Sequence, residues 1–124
     1  EYLNNQFYKQ FLYNYIMIYL RETDPNKFVG SYKKDSIYTT IQKIKDCFGE
    51  PFYYEDENYP NDPIKTTVSI MLYNPDNHNI ISLWDYKVWD HDNDEIDFDQ
   101  EIEFSVYYDD IEDFKRIKNL LKEN

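Results

Sequence analysis

The sequence predicts an α+β fold in which a short antiparallel sheet, made of a hairpin and an acidic third strand, packs with three main helices. Three observations predict it. Apolar residues recur at helical spacing near the start, in the middle and at the end of the chain. Two β-branched and apolar runs flank turn residues in the manner of a hairpin. Residues 96–108 alternate between apolar and largely acidic positions, the pattern of a strand with one buried face. At 124 residues the chain suits one domain with a single core. An N-terminal helix and connector are expected over 1–30, then a helix, a three-stranded sheet and a C-terminal helix over 31–124.

The first helix is read from Tyr2 to Glu22, with Leu3, Phe7, Phe11, Tyr15 and Ile18 on one stripe. Tyr8, Leu12, Ile16 and Tyr19 widen that stripe, so the helix needs cover on two sides. Asp24-Pro25-Asn26 ends it, because a residue before proline is pushed out of the helical region. A second helix is signalled by Asp35-Ser36 as cap and by Ile37, Ile41, Ile44, Lys45 and Phe48. Gly49 suits the left-handed residue that closes such a helix, and Pro51 prevents its continuation. Tyr54 to Pro63, with Glu55, Asp56 and Glu57, reads as a solvated loop.

The hairpin comprises Thr66 to Tyr73 and Asn79 to Trp84 around the turn Asn74-Pro75-Asp76-Asn77. In the third strand, starting from Ile96, the residues Phe98, Ile102, Phe104, Val106 and Tyr108 share one face, and Asp97, Asp99, Glu101 and Glu103 share the other. The last helix starts at Asp109 or Asp110, places Glu112 and Asp113 where the helix dipole favours acids, and buries Ile111, Phe114, Ile117, Leu120 and Leu121.

The charge is concentrated in one place. Asp90 to Asp113 holds 12 carboxylates with no Lys or Arg, whereas the other 13 acids are matched by 13 Lys plus Arg, so the formal charge of −12 belongs to that segment. A local field of this kind speaks about partners rather than fold, and it points to a cationic one. The 14 Tyr and 8 Phe show that the apolar content is heavily aromatic and suited to a globular core. Cys47, the sole cysteine, excludes an intrachain disulfide and favours a core role in a reducing, intracellular compartment. The apolar run Phe7 to Leu20 is interrupted by Lys9, Gln10 and Asn14 and is shorter than a membrane span, so no membrane association is expected. A first residue other than Met suggests a processed or trimmed chain.

Two chemical readings compete for the acidic segment. Asp90, Asp92, Asp94 and Glu101 occupy ligand positions one, three, five and twelve of a calcium loop. Against this, Glu95 stands where a glycine is needed for the sharp turn, Asp97 stands where an apolar residue is usual, and the flanks read as strands. No metal or other cofactor is therefore expected. The alternative is an anionic ladder. Asp97, Asp99, Glu101 and Glu103 on one strand face would lie about 6.6 Å apart, a regular row that could occupy a basic cleft otherwise used by nucleic acid. Direct nucleic-acid binding is not expected, because tyrosine platforms work beside a cationic groove and no basic stripe extends beyond Lys33-Lys34 and the terminal-helix lysines.

No catalytic constellation emerges. His78, His91 and Cys47 lack nucleophile and base spacing, a pair such as Asp85 and Asp90 arises in any acidic chain, and Gly30 and Gly49 cannot build a phosphate loop. The chain is not expected to be an enzyme.

Phe48-Gly49-Glu50-Pro51, Lys65-Thr66-Thr67 and Ile80-Ile81-Ser82-Leu83-Trp84-Asp85-Tyr86-Lys87, followed by a strand and a helix, resemble a small α+β domain of phages and large DNA viruses. The similarity covers about residues 46–122. It departs at Ser69-Ile70 and at Glu103-Phe104-Ser105-Val106-Tyr107, where that group usually carries Trp and a Trp-His-Ile-Gly-Gly-like segment. The resemblance implies viral origin, hence host cytoplasm or nucleus, and strand-end roles for Asp85 and Lys87. Residue usage agrees with an AT-rich source, being rich in Asn, Ile, Lys and Tyr with no Ala. The function expected is that of an acidic viral or mobile-element accessory protein engaging a basic protein surface through Asp90, Asp92, Asp94, Asp97, Asp99, Glu101 and Glu103. The alternatives are a subunit that forms a homodimer through Tyr8, Leu12 and Tyr19 of the first helix, and a divalent-metal domain.

Overall fold

The computed structural model describes residues 19–28 and 32–123, and one antiparallel sheet of six strands dominates them. The strands are β1 (Leu20–Arg21), β2 (Asp35–Thr39), β3 (Phe52–Tyr53), β4 (Val68–Tyr73), β5 (Ile80–Asp85) and β6 (Ile102–Tyr108). Their order is β1-β4-β5-β6-β2, and β3 shares the outer edge of β4 with β1. Two α-helices are present among the described residues, α1 (Ile41–Phe48) and α2 (Ile111–Glu123), together with a single 3-10 turn at Pro25–Lys27.

This corrects the expectation of three main helices packed on a short sheet. Most of the expected first helix, with Tyr8 and Leu12, lies outside the described residues. Its end is not helical, since Leu20 and Arg21 pair with Tyr73 and Leu72, and Glu22 N–H donates to the Met71 carbonyl at 2.8 Å. The second helix starts later than its apolar spacing suggests. Thr40 is its cap, accepting from Lys43 N–H at 3.0 Å, and Asp35–Thr39 pairs along β6 instead. Ile37, Thr39, Thr40 and Ile41 form a β-branched run, stiff at χ1 and better suited to a pleated edge than to a helical turn. The β6 strand begins at Ile102, not Ile96, because Asp97 folds back to accept Asp99 N–H at 3.0 Å.

The hairpin and the C-terminal helix form where expected. Asn74 Oδ1 accepts Asp76 N–H and Asn77 Oδ1 accepts Asn79 N–H, each at 2.9 Å, so side chains close the β4–β5 turn while His78 takes a positive φ of 61°. One sheet face carries Val68, Ile70, Leu72, Ile81, Leu83, Phe104, Val106 and Ile37, and it is covered by Ile41, Ile44 and Cys47 of α1 and Phe114, Ile117 and Leu121 of α2. An eight-residue helix such as α1 has little stability of its own. Burying Ile41 and Ile44 fully, at about 1.5–3 kcal/mol each, holds it against the sheet. Ile111, expected in the core, is instead exposed at the start of α2. No helix among the described residues is long and apolar enough to cross a membrane.

Tyr19, expected on an outward dimer flank, is only 3 % exposed, and its hydroxyl donates to Asp113 Oδ1 at 2.7 Å. It therefore ties the chain just before β1 to α2 and is not available as a surface contact. Burial, followed by the Asp113 hydrogen bond, raises its phenol far above the ordinary value.

Candidate functional site: a clamped acidic loop

The chain leaves β5 through a buried carboxylate. Asp85 Oδ1 accepts the backbone N–H groups of Thr67 at 2.7 Å and Val68 at 2.8 Å, locking the start of β4 to the end of β5. Lys87 then takes a φ of 55°, and its N–H donates to the Lys65 carbonyl at 2.7 Å. Trp89 turns back into the core, and the acidic loop starts at the next residue.

Residues 90–94 close on themselves. The Asp90 carbonyl accepts Asp94 N–H at 2.7 Å, its carboxylate accepts Asp92 N–H at 3.0 Å and Asn93 Nδ2 at 2.7 Å, and Asp94 Oδ2 accepts Asp90 N–H at 2.8 Å. The Asn93 amide, then the Asp92 N–H, holds the Asp90 carboxyl below its usual range. Two aromatic contacts fasten the loop to the rest of the molecule. The His91 ring stacks on Tyr54 with centroids 3.9 Å apart and planes within 6°, and its Nε2 lies 2.8 Å from Thr67 Oγ1. Phe98 stacks on Tyr53 at 5.6 Å with planes within 3°, while Ile96 packs against the core.

The seven predicted partner-binding acids separate into four places. Asp90, Asp92 and Asp94 share the closed loop, and Asp97 and Asp99 share the following turn. Glu101 lies at the lip of a different groove, beside β2 and α2. Glu103 alone stands on a strand, and it is not a free charge. Its carboxylate accepts Lys33 Nζ at 2.8 Å, Tyr38 Oη at 2.9 Å and Ser36 Oγ at 3.1 Å, which together lower its pKa, Lys33 most. The evenly spaced ladder does not form. The calcium set fares no better, since Asp90 and Asp94 spend lone pairs on the loop's own N–H groups and Glu101 faces elsewhere. No group of three or more acids, His or Cys positioned to hold a metal ion occurs among the described residues.

The fold adds something the charge count did not show. Glu55 and Asp56, from the loop after β3, come beside Asp94 and Glu95, and the four carboxylates rim a cleft of about 370 Å³ walled by Tyr53, Phe98 and Ile96. The Tyr54 hydroxyl is raised by burial, then by Glu55, with a contribution from Asp92, so both acidic segments act on it. All seven carboxylates from Asp90 to Glu101 are exposed, and none forms an ion pair among the described residues. Chemically, such a site offers charge and flat apolar walls to a cation. An Arg or Lys side chain matches both, its stem along the aromatic rings and its head among the acids.

No family model, curated protein or solved structure matches the chain. The site stands on its geometry.

Proposed function

We propose that the protein is an interaction module, an accessory protein of a virus or mobile element, that engages a basic protein surface through its acidic loop. One observation carries the reading. Six exposed carboxylates from Asp90 to Asp99, none in an ion pair among the described residues, sit on a loop and turn clamped by the His91–Tyr54 and Phe98–Tyr53 stacks, beside an aromatic-walled cleft rimmed by four acids. Exposed acids on a mobile tail would serve solubility, whereas acids held in fixed positions offer a shaped surface and lose little freedom on binding. The role of the loop is then electrostatic steering followed by insertion of one Arg or Lys into the cleft. A basic surface occupied in this way is closed to nucleic acid, so competition with phosphate follows from the same contact.

The test is fluorescence anisotropy with an arginine-rich peptide, comparing the native chain with a Glu55→Gln, Asp94→Asn, Glu95→Gln triple variant. The expected result is a loss of about tenfold or more, corresponding to roughly 1.4 kcal/mol, and affinity that falls steeply with salt. Neutralising Asp110 and Glu112 instead should matter little. Equal loss from both variants would show a non-specific field and sink the cleft. Loss from neither would sink the reading altogether.

A further inference from the structure

The sheet edge formed by β2 carries a second feature, and its charge is opposite. Among the described residues β2 pairs with β6 alone, so its other side is an edge. Ser36 N–H is taken by the carboxylate of Asp35 at 2.8 Å and not by β6, which turns the Ser36 backbone outward. The two-residue period of a strand gives Tyr38 the same orientation.

Beside this edge lies a groove of about 390 Å³ between β2 and α2, lined by Ser36–Thr39 and by Leu121. Lys43 from α1 and Lys118 and Lys122 from α2 line it against a single acid, Glu101. That is a local cationic excess in a chain of net charge −12. None of the three lysines forms an ion pair among the described residues. Thr39 supplies an independent pointer to a ligand. It lines the groove, is 3 % exposed, and its buried hydroxyl has no hydrogen-bond partner among the described residues.

We propose that this groove is a second binding site, which takes an extended acidic peptide segment as an added strand on β2. An open strand edge recognises peptide backbone, and flanking side chains then select the residues of the added strand. The outward backbone groups of Tyr38 provide the pairing. Lys43, Lys118 and Lys122 receive carboxylates, Leu121 receives an apolar side chain, and the Thr39 hydroxyl gains a partner. Four residues of edge present roughly 13 Å, enough for a peptide core of similar length. Nucleic acid would meet the same lysines but has no strand backbone to pair, and the acidic remainder of the molecule repels a long polyanion. The site is separate from the acidic loop, so the protein would join a basic partner to an acidic one.

The test uses the full chain and a short fluorescein-labelled peptide alternating Glu and Val. Saturable binding is expected, weakened about tenfold or more by Lys118→Glu with Lys122→Glu. On saturation, amide hydrogen exchange at Tyr38 should slow while that of the central strand β5 stays unchanged. Tyr38→Pro should weaken binding without altering far-ultraviolet circular dichroism, because proline is tolerated where an edge N–H faces solvent. These variants leave the acidic loop intact, so capture of an arginine-rich peptide should persist and the two sites fail or stand independently. The proposal is overturned by absence of saturable binding at millimolar peptide, by indifference to the lysine reversals, by unslowed exchange at Tyr38, or by an oligothymidine that binds as tightly as the peptide.

Discussion

Asp85→Ala and Asp85→Asn should behave very differently, and the contrast tests the joint from which the acidic loop is hung. The Asp85 side chain is fully buried, with Oδ1 serving two backbone donors and Oδ2 without a partner among the described residues. Alanine leaves the N–H groups of Thr67 and Val68 without that acceptor. Each orphaned buried donor costs about 1–3 kcal/mol, hence about 2–6 kcal/mol together, reduced by whatever is regained when a desolvated carboxylate is removed. Asparagine keeps the acceptor and replaces the unpaired oxygen with an amide donor. That donor has a neighbour to serve, because the Tyr59 hydroxyl is also buried without a partner among the described residues, and its pKa is raised by burial and then by the charge of Asp85.

Asp85→Asn is therefore expected to stay within about 1 kcal/mol of the native chain or to exceed it. Urea denaturation at neutral pH, with the m value compared across all three proteins, measures this directly. The sign of the pH dependence follows from burial, which raises the Asp85 carboxyl above its ordinary 3.8 against the opposing backbone donors. A carboxyl raised in the fold is most favourable when protonated, below about 4, and stability is lost as pH rises through its folded value. The asparagine variant lacks that loss, so its advantage should grow with pH across the window. An alanine variant within about 1 kcal/mol of native, or an asparagine variant that falls as far as alanine, would refute the account.

Further outcomes are expected. Tyr19→Phe removes the donor to buried Asp113 Oδ1 and should lower stability by about 1–3 kcal/mol in the same urea titration; a neutral result would mean that Arg116, 3.5 Å from that oxygen, suffices. Gly49→Ala forces a side chain onto a φ of 99° and sets its Cβ 3.2 Å from Arg21 Nε, so a loss of about 1–3 kcal/mol is expected, read as a lower melting temperature. The Glu103 carboxyl is depressed, so its contribution is present above the ordinary 4.5 and is lost as pH falls through the folded value. Glu103→Gln should flatten that acid limb in melting curves, and an unchanged limb would show that the contacts to Lys33, Tyr38 and Ser36 contribute nothing. Millimolar calcium should raise the melting temperature only slightly and no more than magnesium does; a large calcium-selective rise, lost in Glu101→Gln, would restore the calcium reading.

The elements legible in the sequence were those whose signals are local. Asn74 and Asn77 close their turn with their own side chains, Gly49 accepts a backbone conformation closed to most residues, and the apolar spacing of Phe114, Ile117 and Leu121 belongs to one helix. Where a residue satisfies two periods at once, the local signal fails. Ile37 is four residues before Ile41 and seven before Ile44, which suits a helix, yet it is also two residues before Thr39, and pairing with Phe104 decides for a strand. The two-residue strands β1 and β3 carry too little pattern to detect. They exist because β4 presents an edge, a property of the assembled sheet and not of Leu20–Arg21 or Phe52–Tyr53.

The acidic site divides along the same line. Its charge density can be counted, but its geometry depends on aspartate being both an acid and a turn former. Alternation from Asp97 to Glu103 fits a strand face, and the structure breaks it because Asp97 captures the Asp99 N–H, leaving only Glu103 on β6. The joining of Glu55 and Asp56 to Asp94 and Glu95 is a tertiary event, though the stacks that produce it involve ring pairs far apart in sequence, Tyr53 with Phe98 and Tyr54 with His91. The lysine groove is hidden for a related reason. Outside residues 90–113 the charges balance, 13 against 13, and the terminal-helix lysines by themselves do not point to a groove shared with another element. Lys118 and Lys122 share a helix face at a spacing of four, and Lys43 reaches them only because α1 and α2 pack side by side over the sheet. A net charge describes the field far from the molecule. What a partner meets at contact is the sorting of that charge by the fold, here into a carboxylate cleft in one place and, in another, a β2 edge flanked by lysines that pairs with β6 alone among the described residues.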